Sequence, residues 1–263
     1  MEKRTKAYWA LFLYLLSLFL NIQALSIGIF GLKTTNAMSY YATAIYPASL
    51  SYFVMFTFLL FEGVFFLKYF GIIKWKKVDR YIKNKAIDYM VWISLCDVFY
   101  MFSFHTNHNL LAFLCVFIES VVCFLMLFNI TKADREIKKM MPETFFMFTF
   151  YYPWISYLSM AQFIAFLSDF SVLETTIIEA IINILALVII FIWINIASQN
   201  TDKRIYFSSV LIVFLGVLVR IATKLNLAKY HPLIAIVLMV LILISIFLLL
   251  KAFKDNHKMK RKV

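Results

Sequence analysis

The feature that most limits what this chain can become is a succession of eight long apolar runs. They lie at about residues 8–30, 48–70, 87–104, 110–130, 144–167, 173–197, 205–222 and 232–252. A membrane-crossing helix needs roughly 20 predominantly apolar residues, with a range of about 17–25. All eight windows reach that length, the third and seventh being the shortest. Hydrocarbon offers no water to backbone N–H and C=O groups, so a run of this kind must close its hydrogen bonds on itself as a helix. The gaps between runs are too short to hold a soluble domain. The expectation is an all-α polytopic membrane protein with about eight transmembrane helices.

Composition and charge agree. Of the 263 residues 63% are hydrophobic and 15% charged, against about 25% charged in a soluble domain. The net charge of +12 is not that of a nucleic-acid binder, because the Lys and Arg residues lie in short loops beside apolar runs. Twenty of the 26 fall in the N-terminus, loops 71–86, 131–143 and 198–204, and the tail 254–263; three fall in the intervening loops. Under the positive-inside rule this places both termini in the cytoplasm, the even helix count preserving the alternation. The expected location is the plasma membrane. The first run extends to Phe30, too long for a cleaved signal peptide, and reads as an uncleaved helix. Pro47, Pro142 and Pro232 stand at or just before the starts of runs, where proline suits a first helical turn. Cys96, Cys115 and Cys123 all lie inside runs and read as small buried apolar residues.

The most unusual stretch runs from Pro142 to Asp169. It is long enough to span, yet Tyr151, Tyr152, Trp154, Ser156, Tyr157 and Gln162 carry polar atoms that need partners. Pro153 removes a backbone donor in mid-helix and predicts a kink. On a 3.6-residue period Tyr151, Trp154, Leu158 and Gln162 share a face, which we read as turned inward. Intramembrane acids are costly and are functional candidates by default; here they are Glu62, Asp97, Glu119 and Glu179. Their plainer role is a hydrogen bond to a neighbouring hydroxyl or backbone group. Asp97, Tyr100 and Phe104 form an aromatic stripe with one acid. His105 and His108 are spaced to approach a common metal, with His231 expected on the same side, but no acid or cysteine completes a set. Loop 31–47 lacks a phosphate-loop pattern and suits a structured lid or a helix cap at Ser39. No nucleophile elbow, zinc-protease helix or paired acidic motif makes a positive case for an enzyme. G-x-x-x-G is absent, so a homodimer is compatible with the sequence but no face can be assigned to it.

The order of features resembles the TspO/MBR family, the tryptophan-rich sensory proteins related to the translocator protein. The residues that carry the resemblance are Asn21-x-x-Ala24, Gly31-x-Lys33-Thr34-Thr35, Ser39 and Pro47-Ala48, then Tyr52 and Met55 where the family has Phe and Trp. Asp97 through Phe104, followed by His105, stands for the family's N-x-x-W-x-x-x-W run, and Tyr151-x-x-Trp154-Ile155-Ser156 follows Pro142. Leu158 and Gln162 replace the family's Ala and Asn. The resemblance covers about residues 8–170. It implies a five-helix core over 1–170, with three further helices and a basic tail over 171–263. It also implies a lidded cavity for a planar hydrophobic ligand, tetrapyrrole, haem-like or sterol-like, used in sensing or transport. No cofactor is required; porphyrin or haem would be the ligand. Thr35, Pro47, Tyr52, Asp97, Tyr100, Phe104, Tyr151, Trp154 and Gln162 would line the site, with membrane lipid as the remaining partner. The residues themselves keep other readings open. One is a small-solute transporter working through the intramembrane acids. Another is an assembly partner whose aromatic faces only pack helices, and a third is an intramembrane enzyme.

Overall fold

The computed structural model describes residues 3–30, 32–34, 45, 52–73, 80–132, 142–170, 176–223 and 231–260. Among them are eight α-helices: α1 (Lys3–Ser26), α2 (Tyr52–Tyr69), α3 (Arg80–His105), α4 (Asn109–Lys132), α5 (Pro142–Ser168), α6 (Thr176–Ala197), α7 (Lys203–Thr223) and α8 (His231–Lys260). A single 3₁₀ turn, Ser198–Asn200, precedes α7. The all-α polytopic expectation holds. Seven of the helices are long and apolar enough to cross a membrane, and α5 is the eighth.

What sets α5 apart is its more polar composition, and burial accommodates it. Every residue from Met147 to Ser159 is buried, so this segment presents no side to lipid. The inward face expected from Tyr151, Trp154, Leu158 and Gln162 is indeed inward, and so are Tyr152, Ile155, Ser156 and Tyr157 around the rest of the helix. An enclosed helix has no need of a uniformly aliphatic surface, which is why its composition departs from its neighbours'. The helix continues through Pro153, whose missing N–H leaves the Thr149 carbonyl without its helical donor. Pro142 begins α5 and Pro232 is the second residue of α8, both in the first turn as expected; Pro47 lies outside the described residues.

The chain divides into two compact units, Met1–Ala42 with Phe56–Phe148, and Thr43–Met55 with Thr149–Val263. In the first, α3 packs against both α1 and α4; in the second, α8 packs against α7 and α6. Helix ends are set locally. Gly28, at φ +97°, terminates α1, its N–H returning to the Gln23 carbonyl at 2.9 Å. A Cβ there would meet the Leu32 carbonyl carbon at 2.7 Å, so only glycine fits. Asn107, at φ 60°, ends α3, and the His108 N–H reaches back to the Ser103 carbonyl at 2.9 Å, closing the helix in a Schellman-type turn. α7 begins at an Asp202 cap, whose Oδ1 accepts the Arg204 N–H at 3.0 Å.

Candidate functional site

In the first unit the buried face of α1 runs Ala7, Ala10, Tyr14, Ser17, Asn21 and Ala24. The steps alternate between three and four residues, which keeps these positions on one seam. Small residues let helices approach closely, and the polar ones then find bonds across the contact. The Tyr14 hydroxyl donates to the Leu59 carbonyl at 3.0 Å, its ring against Phe66. One turn on, the Ser17 hydroxyl donates to the Asp97 carboxylate on α3. Asn21 reaches the same Asp97 oxygen through Nδ2 at 3.0 Å, and also bonds the Ser17 carbonyl at 3.0 Å.

A parallel arrangement lies between α3 and α2, where the Ser94 hydroxyl donates to Glu62 Oε1 at 3.0 Å. Glu62 is 1% exposed and Asp97 7%. Ser94 and Asp97 lie three residues apart on α3, so Glu62 and Asp97 meet the same face of that helix. Glu119, on α4, is also buried, and α4 packs against α3. Four helices thus each contribute polar groups to one interior: Ser17 and Asn21, Glu62, Ser94 and Asp97, and Glu119. Among the described residues neither Glu62 nor Asp97 has an ion pair; their bonded partners are uncharged hydroxyls and an amide. Removing one charge from water without a partner costs several kcal/mol, on the order of 3 or more.

His105 stands at the far end of α3. Its Nδ1 lies 2.7 Å from the Met101 carbonyl and its Nε2 3.3 Å from Thr34 Oγ1. A carbonyl only accepts, so in the neutral ring Nδ1 carries the proton and Nε2 accepts from Thr34. The turn closed by reciprocal Ile29–Leu32 backbone bonds at 2.9 and 3.0 Å precedes Thr34 in the chain. His108 is exposed. No group of three or more His, Cys, Asp or Glu side chains has metal-binding geometry among the described residues.

Of the residues expected to line a ligand site, Asp97, Tyr100 and Phe104 belong to the first unit. The Tyr100 and Phe104 rings pack on each other at 5.5 Å, and Asp97 is engaged by α1. Tyr52, Tyr151, Trp154 and Gln162 belong to the second unit. There Tyr52 meets Trp154 edge to face at 5.2 Å, and Tyr151 and Gln162 are buried on the same helix as Trp154. Thr35 and Pro47, most of loop 31–47 and the Ser39 cap lie outside the described residues. Glu179, the fourth acid, is half-buried in the second unit. Ser94 and Tyr14 were not singled out by sequence, and Ser17 went unread beside Asn21; the three-four seam of small and polar residues along α1 was the available signal.

No protein-family model matches this chain, and no curated protein or solved structure matches it.

Proposed function

We propose that this protein is a multi-pass membrane transporter that couples protons to a small solute through the buried carboxyls of its first unit. One observation carries the reading. Among the described residues Glu62 and Asp97 are bonded by uncharged donors only, and Asp97 stands one turn along α3 from Ser94, the donor to Glu62. Intramembrane acids placed in this way mark ion and proton pathways. A proton needs only the carboxyl itself, whereas a bare divalent cation needs several oxygens converging on it. The distribution of Lys and Arg supports cytoplasmic termini in a plasma membrane. The test is proton flux into proteoliposomes carrying an internal pH dye, driven by a potassium diffusion potential. Flux above protein-free vesicles, abolished in Glu62→Gln, is expected. Flux equal in wild type and in Glu62→Gln and Asp97→Asn would sink the reading.

A second reading follows the TspO/MBR resemblance, a receptor for a planar hydrophobic ligand. The Tyr52–Trp154 contact favours it, together with the buried Trp154 Nε1, which has no hydrogen-bond partner among the described residues. An indole N–H in a dry interior seeks an acceptor, and a tetrapyrrole carboxylate or a sterol oxygen offers one. Titration with protoporphyrin IX and haem tests it: saturable Soret shifts weakened by Trp154→Phe are expected, and no saturable binding would refute it.

A further inference from the structure

The ends of α6, α7 and α8 enclose an open groove of about 420 Å³ in the second unit. Its depth follows from the span limits. α6 leaves its apolar span at Ala197, α7 enters at Lys203, and α8 leaves at Asp255. The groove therefore straddles the boundary between hydrocarbon and water. Its walls include Ile192, Ile196, Phe207 and Leu248, and its rim carries Lys203 and Lys251. Ile192 and Ile196 are more than half exposed, so the apolar wall continues onto the lipid-facing surface. Neither ammonium group is in an ion pair among the described residues. Asp255 also lies on the rim, leaving a net single positive charge there.

We propose that this groove binds one anionic phospholipid, its phosphate between Lys203 and Lys251 and an acyl chain along Ile192 and Ile196. Basic pockets between helices at the membrane surface suit lipid head groups, and cationic side chains there are strongly hydrated unless matched by an anion. Neither a free phosphate nor a zwitterionic lipid satisfies both halves of the site. The first leaves the apolar wall unused, and the second brings a choline cation to a rim already positive. The Asp255 carboxylate offers an acceptor to a hydroxylated head group, which favours phosphatidylglycerol among common anionic lipids.

The experiment is native mass spectrometry of the full-length protein, delipidated in detergent and titrated with dioleoylphosphatidylglycerol or dioleoylphosphatidylcholine. One retained phosphatidylglycerol per chain is expected. Affinity should fall about fivefold for each of Lys203→Gln and Lys251→Gln, while Lys6→Gln, at a cation already paired with Asp88 at 2.9 Å, leaves it unchanged. Equal retention of the two lipids would overturn the proposal. So would full retention by the double variant, or displacement by equimolar inorganic phosphate, which would mark a free-anion site. Both lysines are exposed, so the substitutions leave the packing intact; should the double variant fail to fold, the two single variants decide the matter.

Discussion

Gly63 and Tyr14 offer a sharp test of the α1–α2 contact. A Cβ built on Gly63 falls 2.6 Å from the Tyr14 hydroxyl oxygen but 3.5 Å from the ring carbon that bears it. The first distance is a clash and the second ordinary contact. The hydroxyl has little freedom to retreat, being bonded to the Leu59 carbonyl at 3.0 Å while its ring packs on Phe66 at 5.3 Å. Gly63→Ala should therefore incur overpacking of about 2 kcal/mol and lose a hydrogen bond worth about 1 kcal/mol. The helix gains about 1 kcal/mol from alanine, leaving a net loss of about 2 kcal/mol. In a Tyr14→Phe background the clashing atom is gone, and the same substitution should be neutral or stabilise by up to about 1 kcal/mol. Reversible unfolding in bicelles across the four members of the double-mutant cycle measures this coupling. If Gly63→Ala costs the same in the wild-type and Tyr14→Phe backgrounds, the contact is not what holds these helices together.

Further outcomes follow from single bonds. Asp202→Ala should destabilise by about 1 kcal/mol through loss of the α7 cap, read as a lowered melting temperature. Burial works to raise the Asp202 carboxyl, but the hydrogen bonds and charge of Arg204 outweigh it and hold the group below the usual carboxylate range. Its contribution should accordingly be full above that range and vanish as pH falls through the lowered value, so that wild type and Asp202→Ala converge in acid. Trp193 Nε1 donates to the buried Tyr152 hydroxyl at 2.7 Å, and Trp193→Phe should cost about 1 kcal/mol in the same assay. An unchanged midpoint would show that bond to be without consequence.

The helices were legible because their lengths and apolarity have few other solutions, and α5 was legible as an interior helix because lipid tolerates its tyrosines poorly. The division into two units was not. It passes through α2 and α5, continuous helices in which no linker, proline-glycine cluster or charge run marks a boundary. The acids announced themselves by their cost in hydrocarbon, whereas their partners did not. Ser17 and Ser94 sit in apolar runs where a serine satisfied by its own helix would look the same, as Ser245 is by the Leu241 carbonyl at 2.8 Å. Only the fold tells an inter-helix hydroxyl from an intra-helix one.

What the bonds themselves require bears on why carboxyls stand at Glu62 and Asp97. Ser94 needs an acceptor at position 62, and Ser17 and Asn21 need one at position 97; an amide oxygen would serve both equally well. Glu62→Gln and Asp97→Asn can keep every one of those bonds, since each donor reaches a single oxygen of its carboxyl. Isosteric amides should therefore leave stability within about 0.5 kcal/mol of wild type. Asp97→Leu, by contrast, leaves the buried Ser17 hydroxyl without its acceptor and takes from Asn21 one of its bonds, and should cost about 2 kcal/mol. The carboxyls add one property that the amides lack, the capacity to take and release a proton. If the acids are only structural, the amide variants will match wild type in flux as well as in melting. If they carry protons, melting will be preserved and flux lost, a separation that a purely architectural role cannot produce.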